Sequence, residues 1–259
     1  MPLLGGAVVP HPPLLLPELG GERPDQALNE LRAACRQAVE AVTADAELLV
    51  VVGDGPVWGA VVPGADGSFT PWGARVRVEL PATAAPELPG LPEPASVTHL
   101  PLSLTVAAWL LAGLPEVPRV AAYSVPGVMP PGAAAGVGHA LADVVDSPGE
   151  RPAALLVLAD GSARRGQRSP GTFHPAAEEA DAGVARALAT ADLDVLLKLD
   201  PATCAELWLG GRVPLQVLAG AMTGTGTDVP TPLTGRVLYE AAPFGVGYVV
   251  ATCLAQAGP

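Results

Sequence analysis

The chain has 259 residues, 49% of them hydrophobic and 15% charged, with a formal net charge of −12. Such a composition can bury a large core and excludes a disordered chain. The acidic balance excludes a nucleic-acid-binding surface, because phosphate contacts need gathered Lys and Arg and only Arg164, Arg165 and Arg168 cluster here.

Residues 6–10 are the first of five apolar runs that end abruptly in a polar or Gly-rich turn, the pattern of buried parallel strands in an open sheet. The surrounding stretch 3–16 is broken by His11 and by prolines and has no basic flank, so it predicts neither a signal peptide nor a membrane span. Residues 25–43 place Leu28, Leu31, Cys35, Val39 and Val42 on one face at helical spacing. The second run, 48–52, follows. Residues 56–101 are rich in Pro and Gly and read as loop or edge structure, within which Arg75, Arg77 and Glu79 alternate with Val76, Val78 and Leu80 as in a half-exposed strand. Runs at 97–101, 119–125 and 153–159 supply three more strands, and 181–189, 201–209 and 214–222 read as helices. A Gly/Thr/Pro-rich segment, 224–234, precedes strands at 236–239 and 247–253.

No internal repeat or polar linker divides the chain. The expectation is one α/β domain over residues 1–259, with a central, mostly parallel sheet flanked by helices. Three cysteines, odd in number and widely spaced, support neither a disulfide framework nor a Cys-x-x-Cys metal site and fit a reducing compartment, so the cytoplasm is the expected location.

Ligands of open α/β sheets bind outside the carboxyl ends of the strands. The first run ends at His11, the second at Asp54, the fifth at Asp160 before Gly161 and Ser162, and the penultimate strand at Glu240. If these strands are neighbours, an imidazole and three carboxylates converge on one rim. That set suits a divalent metal such as iron(II), manganese or zinc, and equally supplies acid–base groups without one. Each residue also has a plain structural reading. His11 lies between prolines and can fix a turn, and Asp-Gly, at both Asp54 and Asp160, is a common turn dipeptide. The turn Asp160-Gly161-Ser162-Ala163-Arg164-Arg165 can present backbone N–H groups and two guanidinium groups to an anion, with Ser162, Arg164 and Arg165 as ligand-binding candidates, or it is a solvated loop. His174, on a loop beyond that turn, is a candidate lid residue. His99 and His139 read as a half-buried strand residue and a helical residue.

Taken together, Val9-Pro10-His11-Pro12-Pro13, Val52-Gly53-Asp54-Gly55-Pro56-Val57-Trp58, Val157-Leu158-Ala159-Asp160-Gly161-Ser162, and Tyr239-Glu240 followed by Pro243-Phe244-Gly245-Val246-Gly247-Tyr248 resemble the class III extradiol ring-cleavage dioxygenase family and its Memo-type relatives. The pieces occur in the family's order and cover most of the chain. The resemblance implies that family's α/β fold and a non-haem iron(II) held by two histidines and a glutamate, with a further histidine as acid–base group. His11 matches the first ligand and Glu240 the carboxylate ligand, while Asp54 stands where the second histidine is expected. No histidine lies at 163–165, where relatives place the acid–base group. The pattern is similar to an actinobacterial branch that lacks part of the catalytic histidine set.

The reading that follows is a divergent metal-dependent enzyme acting on a small molecule. His11, Asp54 and Glu240 are its candidate metal ligands, and Asp160 and His174 its candidate catalytic groups. Its rivals are a hydrolase or lyase using the same rim, and a non-catalytic descendant that binds a small molecule or a protein without metal. A homo-oligomer fits any of the three.

Overall fold

The computed structural model describes residues 3–21, 25–145, 151–224 and 232–256; most of the 224–234 segment therefore lies outside the described residues. One nine-stranded sheet organises the chain, with strands β1 (Leu3–Val9), β2 (Leu48–Asp54), β3 (Gly59–Ser68), β4 (Arg77–Glu79), β5 (Ala95–His99), β6 (Arg119–Val125), β7 (Ala153–Leu158), β8 (Leu233–Ala241) and β9 (Tyr248–Ala255). Their spatial order is β4-β3-β6-β2-β7-β1-β9-β8, with β5 paired to β3.

The centre of the sheet, β6-β2-β7-β1, is parallel, as the unbroken apolar runs predict. Outside it the pairing turns antiparallel, at β1–β9 and β9–β8 on one side and at β6–β3 and β3–β4 on the other. The sheet is thus mixed, with a parallel core. The run at 97–101 is not a central buried strand: β5 carries one buried residue in five and pairs only with β3.

Helices α1 (Gln26–Thr43), α2 (Leu102–Leu111), α3 (Pro131–Val145), α4 (Ala177–Thr190), α5 (Leu193–Leu197), α6 (Pro201–Glu206) and α7 (Arg212–Thr223) flank the sheet. Period-2 alternation in β2 sends Leu49 and Val51 into one core layer and Val50 and Val52 into the other. The first layer packs Leu31, Cys35 and Val39 of α1 with Leu104 and Leu111 of α2. The second packs Leu141 of α3, Leu188 of α4, Leu196 of α5 and Leu218 of α7. Asp25 caps α1 by accepting the Leu28 N–H at 3.1 Å. Among the described residues no helix is long and apolar enough to cross a membrane.

Candidate active site

Parallel pairing puts the C-terminal ends of β1, β2, β6 and β7 at one edge of the sheet, so the residues just beyond them meet there. His11 follows β1 and Asp160 follows β7. The two are joined twice: the His11 backbone N–H donates to Asp160 Oδ1 at 2.8 Å, and His11 Nε2 lies 3.7 Å from Asp160 Oδ2. The Ala159 N–H donates to the Val9 carbonyl at 2.9 Å, which extends the β1–β7 ladder into the turn and fixes both residues.

The His11 side chain is only 12% exposed, and its Nδ1 is buried with no hydrogen-bond partner among the described residues. A proton on Nδ1 would bury an unsatisfied donor, so the neutral ring carries its proton on Nε2, directed at the Asp160 carboxylate. The 3.7 Å gap is longer than a direct hydrogen bond and leaves His11 free to bond a ligand atom.

Asp54 ends β2, and its backbone carbonyl accepts from the Ser103 hydroxyl at the start of α2. Among the described residues its half-buried carboxyl has no hydrogen-bond or ion-pair partner of its own. Burial pushes that carboxyl above the usual carboxylate range; the neighbouring His11 opposes the shift and Asp160 adds to it. His11, Asp54, Gly55, Pro101, Pro126 and Val128 line an open cleft of about 570 Å³. The carboxyl-end rule thus brings three of the expected rim residues, His11, Asp54 and Asp160, together.

Glu240 does not join them. It is exposed, pairs with Val249 in the outer β8–β9 ladder, and lines a separate small cavity with Asp160, Arg165, Asp181 and Tyr248. That cavity, about 20 Å³, holds roughly one water. Among the described residues no group of three or more His, Cys, Asp or Glu side chains is arranged to hold a metal ion. The iron centre implied by the resemblance needs two histidines and a glutamate, whereas this rim offers one histidine and two aspartates with its glutamate elsewhere. The residues present do not fit that group.

The 160–165 turn is occupied by internal bonds. Ser162 is fully buried, its hydroxyl donating to the Leu207 carbonyl and accepting from the Arg164 N–H. Arg164 donates to the carbonyls of Thr172 and Glu206. Arg165 pairs with Asp181 at 2.9 Å and with Glu178 at 3.5 Å. His174 faces Glu206 at 3.3 Å and accepts from the Ala176 N–H, and it does not line the His11 cleft.

By sequence Asp181 is no more than a helical position. In the fold it is buried on α4, where it accepts the Ser162 N–H at 2.8 Å and the Arg165 guanidinium. Burial pushes its carboxyl up and Arg165 pulls it back. Gly161 and Gly247 pack against this carboxylate so closely that a Cβ at either position would collide with it. The clamp holds the turn that carries Asp160.

No protein-family model matches the chain, and no curated protein does. Among solved structures, an uncharacterized protein from Escherichia coli K12, JW3007, superposes with a TM-score of 0.57 over 97% of this chain and 100% of its own, at 13% identity. That likeness establishes a known fold and carries no function.

Proposed function

We propose that the protein is an enzyme that moves protons on a small molecule bound over His11, Asp54 and Asp160. The observation that carries this reading is the convergence of those three groups on an open cleft, with Asp54 unpaired among the described residues and His11 held by Asp160. Asp160 spends one oxygen on the His11 backbone and points the other at the ring, so it orients the imidazole and stabilises it when it takes up a proton. Asp54, biased toward its neutral form by burial, exchanges a proton with the ligand at moderate pH. An imidazole and a carboxyl whose environments differ form an acid–base pair. The three cysteines, all buried and free, support a cytoplasmic setting.

The test is deuterium incorporation from D₂O into small carbonyl compounds with acidic C–H bonds, followed by NMR, with oxygen uptake on catechols run in parallel for the ring-cleaving activity of the dioxygenase family. Exchange is expected with the natural protein. It should drop by at least about 100-fold in His11→Ala and Asp54→Asn, in line with the usual contribution of general acid–base groups. Exchange that survives both substitutions in folded protein would discard this reading, and oxygen uptake dependent on added iron(II) would replace it with the dioxygenase one.

A further inference from the structure

Beside the His11 cleft, and sharing Asp54 and Gly127 with it, lies a second pocket of about 340 Å³. Arg212, Cys204, Trp208 and Gly210 form the wall opposite Asp54. Arg212 is 4% exposed. Its hydrogen-bond partners are neutral: the Gly127 and Met129 carbonyls at 2.7 and 2.9 Å and the Gln216 side-chain oxygen at 2.8 Å. Among the described residues no carboxylate comes within ion-pair distance of it. The exposed Asp200, which acts on it at longer range, has its carboxylate occupied by the Thr203 N–H and hydroxyl.

A buried guanidinium without a counter-charge is costly, because its hydration is lost and carbonyl dipoles replace only part of it. Here the cost is borne at the edge of a solvent-filled pocket. Two further features mark the same wall. Arg212 opens the 12-residue helix α7, whose N-cap Gly211 supplies no side-chain cap, so the partial positive charge of the helix end adds to that of the guanidinium. Trp208, 54% exposed and held at φ +51°, stands at the mouth, which is unusual for a large apolar side chain that a monomer could have buried.

We infer that this pocket is an anion subsite, in which Arg212 and the start of α7 hold a carboxylate or phosphate group of the molecule whose reacting part lies over His11 and Asp54. The two pockets meet at Asp54, so one small molecule spans them. The spanning part of the inference rests on the function proposed above; the anion site itself does not. Arg164 and Arg165, the arginines that stand out in the sequence, are tied up by internal partners, whereas Arg212 has the pocket.

Gly210 allows a clean test. A Cβ there meets nothing within 4 Å, so Gly210→Asp introduces a carboxylate beside Arg212 without a steric penalty. Melting temperature is measured at constant ionic strength against inorganic phosphate and, separately, succinate, with Trp fluorescence as a second readout. The natural protein is expected to show a saturable rise with at least one of them, and the arm that saturates at lower concentration identifies the anion. Gly210→Asp should weaken that affinity at least tenfold. Gly136→Asp, an added charge on α3 at a position equally free of neighbours, should leave it unchanged. Arg212→Gln should match Gly210→Asp, and if it does not fold, Gly210→Asp decides alone. His11→Ala should bind the anion normally, so that failure of the proton-transfer reading and failure of this one give different results. No saturable response to either anion, or one that Gly210→Asp leaves intact, overturns the subsite.

Discussion

The Asp54 carboxyl has its folded-state pKa raised by burial, and the sign of the consequence follows from proton linkage. Between the ordinary carboxylate pKa and the raised one, the folded chain holds a proton that the unfolded chain has released. Stability therefore falls as pH rises through that window and stays lower above it. Asp54→Asn removes the penalty. Its melting temperature is expected to exceed that of the natural protein by a few degrees at pH 7 and to match it near pH 3. A difference that is constant across this range, or of opposite sign, would mean that Asp54 gains more from its neighbours when ionised than it loses by burial. The same substitution is expected to lower activity, the trade-off of a group held in place for chemistry rather than for stability. His11 offers an independent check on the tautomer. Its imidazole nitrogen-15 spectrum at a pH where the ring is neutral should show a protonated Nε2 and a bare Nδ1.

At the level of elements, the turn carrying Asp160 depends on α4. Asp181 takes hydrogen bonds from Ser162 and Arg165 while buried between Gly161 and Gly247. Asp181→Ala leaves the Ser162 N–H unsatisfied and Arg165 with only the exposed Glu178, and should cost about 3–5 kcal/mol, the usual penalty for breaking a buried pair from one side. Denaturant melts of Asp181→Ala and of the double variant Asp181→Ala/Arg165→Met separate the causes. The double variant should recover part of the loss, because it no longer buries an unpaired guanidinium. These contacts also explain what the sequence could not disclose. His11, Asp54 and Asp160 are legible because each ends an apolar run, and parallel strands gather such ends. Asp181 and Arg212 are not, since their roles come from partners 16–19 and 83–85 residues away and from burial that no local pattern marks. Glu240 misleads for a related reason. It also ends an apolar run, but its strand is the antiparallel edge β8, whose register directs it to another cavity. Helix α2 is hard to see because seven of its ten residues are buried, which leaves no amphipathic stripe. Strand β3 is masked because Gly59, Pro63, Gly64 and Gly67 read as a loop.

For the whole molecule, the decisive fact is that both core layers share one sheet. Leu104 on α2 lies in one layer and Leu218 on α7 in the other, each fully buried. The strands between them contribute alternate side chains to both layers, so neither layer can come apart while the sheet stays intact. Truncating either leucine to alanine should cost roughly 2–5 kcal/mol, from lost burial and the cavity left behind. In each case the whole melting curve should shift as one transition rather than split into two steps. Trp109 lies on α2 and Trp208 at the α7 end of the other layer, which makes them natural reporters. Trp fluorescence, measured in Trp109→Phe and Trp208→Phe backgrounds, should give the same midpoint as far-UV circular dichroism in both leucine variants. Midpoints that diverge, with the layer carrying the substitution melting first, would show that the two layers are separate cooperative units and that the cleft between the strand ends can loosen without global unfolding.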